Sequence, residues 1–250
     1  MTGGEGADRS CGIIEEQYIT APLSRGGDGI TVYGSDGPVV IRNCTVDLGR
    51  WPLEKLDEGI SGVDGARAVI RRTRVTRVGK AILWGNGDYP DTDPDAELVL
   101  EDCIIRDVGR RAPEAQDGVR VIMRRCVIRN WGIGSRFSVR SFGAWAHDGA
   151  SIRAEDCVFW QDGFWQSGLW GFVVDLANWI GWCFNRRDWN PLHWLLPGVC
   201  RGLTASQKGK VSASRCWANR WWIRLQGHRG PRMSKREALA LMAELEGRLL

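Results

Sequence analysis

The sequence is poor in the residues that common metal and nucleic-acid-binding modules need. It has three histidines in 250 residues and no Cys-x-x-Cys pair, which argues against a zinc module. The net charge is only +4, from 34 basic and 30 acidic side chains spread along the chain, so no nucleic-acid partner is expected. Hydrophobic residues make up 43% and charged residues 26%, as in ordinary folded domains, which argues against extensive disorder.

The sequence also has no segment with the features of a signal peptide or a transmembrane helix. The first residues, MTGGEGADRSCG, have neither a basic nor an apolar region, so they do not form a secretory signal peptide as they stand. Residues 164–184 approach the length of a transmembrane helix, but Gln166, Asp175 and Asn178 interrupt them. We therefore expect this part to be an aromatic-rich insertion on the domain surface, and we expect no membrane span.

Short apolar segments recur along the chain with one pattern. Each has alternating aliphatic residues, a polar pair, often a cysteine, and more aliphatic residues. The anchor residues of six copies are Cys44, Thr73, Cys103, Cys126, Cys157 and Cys216. Their separations, by subtraction, are 29, 30, 23, 31 and 59 residues. A period of this size indicates a solenoid, and the last separation predicts either one further turn or an insertion.

The composition of each repeat is that of β-strands. Val and Ile alternate with polar residues, and Asp-Gly turn signals at 64–65, 117–118 and 148–149 separate the segments. No helix-period segment lies between them, which excludes leucine-rich-repeat and βαβ folds. We therefore predict an all-β fold, a right-handed parallel β-helix over residues 26–225, with an aromatic-rich C-terminal insertion at 160–210.

The two ends of the chain complete the predicted organisation. Residues 1–25 form an N-terminal extension, and residues 233–250 form a helix that begins with a capping box at Ser234 and Glu237. The helix closes one end of the solenoid or packs along its side. Its apolar positions are Leu239, Met242, Leu245 and Leu249.

The cysteines follow from the repeat. Equivalent residues of successive turns stack, so the cysteines would form an interior ladder in which Thr73 fills one step. Their side chains would point in parallel, which favours free buried thiols. Disulfide bonds between adjacent turns are the alternative, so the cysteines say little about the compartment.

Residues 57–88, DEGISGVDGARAVIRRTRVTRVGKAILWGNGD, resemble the pectate lyase family of polysaccharide lyases. That family has an acid-Gly-Leu-Ile-Asp segment, then His-Asp-Lys and an apolar run that ends in glycine. Residues 58–60 match the opening, and Lys80 with residues 81–85 matches the lysine and its run.

The resemblance continues on both sides of this segment. Residues 26–46 are similar to the family's Asp-Ala-Ile…Val-Trp-Ile-Asp-His-Cys region, and residues 135–143 are similar to its Arg-x-Pro-x-x-Arg-x-Gly loop. The likeness covers about residues 26–160 in the family's order, which is worth more than any one motif.

The resemblance implies a secreted polysaccharide lyase that cleaves an acidic polysaccharide, such as polygalacturonate, by β-elimination. It makes Asp28 and Glu58 calcium ligands, and it makes Lys80 the lysine that contacts the substrate carboxylate. It makes Arg136 the catalytic base and Arg140 a second, substrate-binding arginine. Ca²⁺ and basic side chains suit this reaction, because removal of the proton beside a carboxylate leaves an enolate-like anion.

The chain departs from the family pattern in ways that keep other functions open. The second acid, four residues after Glu58, is Gly62, and the His-Asp before the lysine is replaced at residues 78–79. Ca²⁺ takes about six to eight oxygens, and two carboxylates supply few of them, so water and substrate would have to supply most. We therefore expect calcium binding to be weak and substrate-assisted, or absent. One alternative is a lyase that works without calcium. The other is a degenerate β-helix that binds glycan or serves as a structural module of a surface or virion appendage.

Four tryptophans and a histidine lie in or near the predicted turns. The rings of Trp51, Trp84, Trp131 and Trp145 flank the proposed groove and could stack on sugars, although Trp84 follows Leu83 in a strand and is expected to be half buried. His147 is interpreted as a turn or surface histidine outside the site.

Overall fold

The protein is described by a computed structural model that covers residues 7–8, 12–20, 28–34, 38–49, 58–85, 96–132, 142–162, 201–220 and 223–249. These residues form two β-sheets and one helix. Every strand pairing among them is parallel. The described chain is therefore mainly β, with long parallel sheets, as the repeats predict.

The smaller sheet has seven strands that lie in chain order. They are β2 (Ile13–Glu15), β5 (Val39–Arg42), β8 (Arg67–Arg71), β10 (Glu97–Glu101), β12 (Arg120–Arg124), β15 (Ser151–Glu155) and β18 (Lys210–Ser214). Side chains along each strand alternate between buried and exposed, so one face of this sheet lies on the core.

The larger sheet has thirteen strands. They are β1 (Ala7–Asp8), β3 (Tyr18–Ile19), β4 (Ile30–Tyr33), β6 (Thr45–Asp47), β7 (Glu58–Val63), β9 (Arg74–Trp84), β11 (Ile104–Ala115), β13 (Val127–Trp131), β14 (Phe142–Ala146), β16 (Val158–Trp160), β17 (Arg201–Ala205), β19 (Trp217–Ala218) and β20 (Arg224–Leu225).

Two long strands divide the larger sheet into two branches. Residues 74–76 of β9 pair with β6, whereas residues 80–84 pair with β7. Strand β11 divides in the same way between β13 and β14. Arg77, with φ of 51°, lies where β9 divides, whereas Asp107, with φ of 55°, lies within the part of β11 that pairs with β13, since Val108 still pairs with Trp131. Each long strand therefore serves two ladders.

The register of the smaller sheet confirms the alignment of the repeats. Val69 pairs with Val40 on one side and with Val99 on the other. Arg153 pairs directly with Ser212, which follows it by 59 residues by subtraction. The long separation is therefore an insertion and not a further turn. The segment between the two repeats, residues 163–200, lies outside the described residues.

A bend with the same geometry precedes each anchor residue. The residue just before it has a φ between 47° and 54° in all six repeats: Asn43, Arg72, Asp102, Arg125, Asp156 and Arg215. The anchor side chain then donates to the carbonyl two residues earlier, as Cys103 Sγ does to Glu101 O at 3.3 Å and Thr73 Oγ1 does to Arg71 O at 3.0 Å. The predicted ladder is confirmed in the described chain, where five cysteines are buried free thiols: Cys44, Cys103, Cys126, Cys157 and Cys216.

The C-terminal helix α1 (Lys235–Arg248) starts with the predicted capping box. Ser234 Oγ accepts from the Glu237 backbone N–H at 3.2 Å, and the Glu237 carboxylate accepts from the Ser234 N–H at 2.7 Å. The helix packs along the side of the larger sheet, where its apolar face contacts three neighbouring strands. The strand residues are Ile104, Val127 and Val158, and the helix residues are Ala238, Leu241, Met242 and Leu245.

One apolar position of the helix was predicted wrongly. Leu239 is 42% exposed, because the buried stripe runs through Ala238, Leu241, Met242 and Leu245 and position 239 lies about 100° around the helix from 238. Among the described residues, no helix has the length and apolar content needed to cross a bilayer. The apolar segment 164–184 lies outside them.

Candidate functional site

Charged side chains from successive repeats lie side by side on the larger sheet. Glu58 pairs in register with Lys80, Lys80 pairs with Arg111, and Arg111 pairs with Phe142. The row therefore contains an acid, two cations and an aromatic residue on four adjacent strands, each about 4.8 Å from the next. The row three positions further along contains Ser61, Leu83, Glu114, Trp145 and Thr204.

Three of the five predicted site residues lie together in this region. Lys80 Nζ is 3.1 Å from Glu58 Oε1, and these side chains are only 15% and 13% exposed. Asp28 contacts the same strand, since its Oδ2 accepts from Ser61 Oγ at 2.6 Å and its Oδ1 lies 3.4 Å from the Glu58 backbone nitrogen. Arg136 and Arg140 lie outside the described residues.

The environment of Glu58 makes its carboxyl group hard to ionise. Burial raises the pKa of Glu58 to about 7, and the negative charges of Asp28 and Glu114 add to the rise. The ammonium of Lys80 opposes this effect but only partly offsets it. Glu58 is therefore divided between its neutral and ionised forms near neutral pH.

Glu114 is the centre of a second group of contacts. Its side chain is 2% exposed, its Oε1 accepts from the Arg111 guanidinium, and its Oε2 lies 4.0 Å from Lys80 Nζ. His147 Nε2 is 3.1 Å from the same Oε1, and His147 Nδ1 contacts Asp148. Burial alone would raise the pKa of Glu114, but the hydrogen bond from His147 and the charges of Arg111 and Lys80 outweigh it and lower the pKa. Glu114 is thus held ionised.

The surroundings of His147 favour its positively charged form. Burial would lower the pKa of His147, but its contacts with Glu114 and Asp148 together outweigh burial and raise the pKa. Both ring nitrogens have a carboxylate partner, which favours the imidazolium form.

Aromatic rings fix the position of Arg111. The guanidinium carbon of Arg111 lies 4.3 Å from the centroid of the Trp145 ring. Trp145 in turn stacks on Phe142, at 4.9 Å between centroids, and on His147, at 3.9 Å. A guanidinium held between an ionised carboxylate and an indole face has little freedom to move.

The predicted role of the tryptophans as sugar platforms is wrong for the three that the structure describes. Trp84, Trp131 and Trp145 are all buried, so their ring faces are not available to a ligand. The indole N–H of Trp84 donates to Ala66 O at 2.9 Å, which fits a core residue. Trp51 lies outside the described residues.

Arg111, Glu114 and His147 were not predicted as site residues. His147 adjoins a turn but is buried, not on the surface. A signal for Arg111 was present, because the Arg-x-Pro-x-x-Arg-x-Gly pattern fits residues 111–118 with the first arginine, the proline and the glycine in place and glutamine at the second arginine. Residues 135–143 lack that proline. No comparable signal marks Glu114 or His147.

The donor set fits calcium poorly. Both Asp28 oxygens have protein partners, and the Lys80 ammonium already lies against Glu58. Gly62, where the family has its second acid, has no room for a side chain, since a Cβ there would lie 2.4 Å from the Trp84 ring. Within the described ranges, no group of three His, Cys, Asp or Glu side chains is placed to hold a metal ion.

No protein-family model, curated protein or solved structure matches this chain.

Proposed function

We propose that this chain is a polysaccharide lyase that cleaves an acidic polysaccharide, such as polygalacturonate, by β-elimination. The observation that carries this proposal is the pairing of Lys80 and Arg111 in register on adjacent strands. Two neighbouring cations of this kind suit a sugar carboxylate and the anion that forms from it. Glu58, from the preceding repeat, lies beside Lys80, and Asp28 contacts the strand of Glu58.

The scaffold that we propose for this site is a right-handed parallel β-helix. Each repeat from residue 58 to residue 132 supplies strands to the smaller sheet and to the larger one, and pairs in parallel with the repeats before and after it. The bend before each anchor residue recurs with the same left-handed conformation. The right hand is expected, because connections between parallel strands of one sheet are right-handed in nearly all proteins.

The proposed reaction transfers the proton next to the uronate carboxylate to solvent water or hydroxide. The electron pair left behind forms the new C–C double bond, and the glycosidic oxygen leaves and takes up a proton from solvent. Lys80 and Arg111 would bind the carboxylate and stabilise the negative charge that develops on it. The resemblance assigns the catalytic arginine to Arg136, whereas this proposal assigns it to Arg111. Since guanidinium hardly deprotonates, charge stabilisation is the role that its chemistry supports. No step of this proposal uses calcium.

Product formation with purified protein tests the proposal. We expect unsaturated product, followed by its ultraviolet absorbance, when the protein meets polygalacturonate. Arg111→Ala and Lys80→Ala should each reduce the rate by at least about a hundredfold with unchanged circular dichroism. Arg71→Ala, an exposed ion-paired arginine of the smaller sheet, is the matched control and should keep the rate.

Two results would contradict parts of the proposal. Absence of product with several uronate polymers, from neutral to alkaline pH, would remove the enzyme claim. Loss of activity in Arg136→Ala together with full activity in Arg111→Ala would return the catalytic arginine to residues 135–143.

A second candidate function is a β-helix that binds an acidic glycan, or serves as a structural module, without cleaving anything. It is favoured by the ion pairs of the site, since Glu58 already partners Lys80 and Glu114 already partners Arg111. Saturable binding of oligogalacturonate with no product would support the glycan-binding form over the lyase.

A further inference from the structure

The side chain of Lys80 places a positive charge beside the acids that the resemblance assigns to calcium. The Lys80 ammonium lies 3.1 Å from the Glu58 carboxylate and 4.0 Å from the Glu114 carboxylate. Asp28, the other acid that the resemblance assigns to calcium, lies against the backbone and Ser61 of the Glu58 strand. A divalent ion bound by Asp28 and Glu58 would lie close to the Lys80 ammonium, which is bound to the same Glu58 carboxylate, and the two cations would repel each other.

The two counter-charges around the cations differ in how firmly they are held. Glu114 is almost fully buried and is shared by Arg111, His147 and Lys80. Glu58 is more exposed, and its side chain is bound to Lys80. An incoming carboxylate can therefore replace Glu58 on Lys80 at a smaller cost than it can replace Glu114 on Arg111.

We propose that Lys80 is the resident cation of the site and that Glu58 is its internal counter-ion, which the carboxylate of the acidic sugar displaces. The site then takes an acidic sugar through Lys80, with Arg111 beside it, and needs no divalent metal. This inference deepens the proposed function and depends on its assignment of an acidic carbohydrate as ligand. It also assigns Glu58 to specificity: a neutral sugar offers nothing to exchange for the Glu58 carboxylate.

Binding of digalacturonate, measured by calorimetry in excess EDTA and in excess Ca²⁺, tests the inference. The dissociation constant should be the same in both buffers. At about pH 8, where the Glu58 carboxyl is mostly ionised, Glu58→Gln should bind about tenfold more tightly, a change of about 1.4 kcal/mol, because the internal competitor has lost its charge. Lys80→Met should weaken binding by at least about tenfold. Glu101→Gln is the matched control and should leave binding unchanged, since Glu101 is ion-paired to Arg71 and Arg124 on the smaller sheet.

A calcium titration of the protein without sugar gives an independent readout. We expect no saturable calcium site in the wild-type chain. Saturable calcium binding that disappears in Glu58→Gln would refute the inference and leave the proposed function standing. Sugar binding that requires Ca²⁺, or that weakens in Glu58→Gln, would refute it in the same way. Absence of digalacturonate and oligogalacturonate binding in both buffers would overturn the proposed function and the inference together.

Discussion

The raised pKa of Glu58 predicts a specific pH dependence of folding stability. The carboxyl titrates at about 7 in the folded chain and at its ordinary 4.5 when unfolded, so the folded state binds more protons between these values. Stability should therefore fall as the pH rises from 4.5 to 7 and should level off above 7. At about 1.4 kcal/mol per pH unit, Glu58 should lower the free energy of unfolding by about 3 kcal/mol over this range. Glu58→Gln stays neutral throughout and should lack this fall.

Urea denaturation of both proteins at a series of pH values measures the effect. The free energy of unfolding of the wild type should drop relative to Glu58→Gln by about 3 kcal/mol between about pH 4.5 and about pH 8. The difference between the two curves isolates Glu58, because His147 and the other groups titrate in both proteins. Glu101→Gln should run parallel to the wild type. Parallel curves for the wild type and Glu58→Gln would show that Glu58 titrates normally and would refute the electrostatic account of the site.

Two further predictions concern the packing that surrounds the site. Gly62→Ala should destabilise the fold by about 2–3 kcal/mol in chemical denaturation, because its Cβ would lie 2.4 Å from the buried Trp84 ring; unchanged stability would show that the ring can move away. Thr73→Cys should cost less than about 1 kcal/mol, since it supplies the thiol that the other anchors have, whereas Thr73→Val should cost about 1 kcal/mol more through loss of the hydrogen bond to Arg71 O. Equal stability of the Cys and Val variants would contradict that role for the anchor side chain.

The repeats could be predicted from the sequence because each one has the same types of residue at the same positions. The polar residue before each anchor occupies a left-handed bend, and the anchor itself bonds back to the chain two residues earlier. Strand alternation and turn signals then fix the register, which the pairs of Val69 with Val40 and Val99 bear out. The helix was recognised from its cap, but the orientation of its buried stripe depends on the sheet that it meets, so Leu239 was placed on the wrong face.

The site was less predictable, because three of its main contacts join residues that the sequence separates by more than twenty positions: Glu58 with Lys80, Lys80 with Glu114, and Glu114 with His147. Glu58 and Lys80 were found through the motif, and the structure brings them together. Glu114 and His147 have no motif, and the register of β11 with β9 and β14 is what brings Glu114 to Lys80 and to His147. Glu114 and His147 act through their charges, and the strength of these charges depends on burial, which the composition does not reveal.

The two acids beside Lys80 explain how one site can both hold a cation firmly and offer one to a ligand. Burial favours the neutral form of both Glu58 and Glu114. The pKa of Glu58 is raised to about 7, whereas the pKa of Glu114 is lowered because His147 and Arg111 are further partners of its carboxylate. Arg111 is consequently fixed by a permanent negative charge and an indole ring. Lys80 faces a carboxylate that is only partly ionised at neutral pH and more exposed to solvent. In the proposed function, selection for acidic ligands would therefore act at Lys80, while Arg111 would supply a charge whose position does not change on binding.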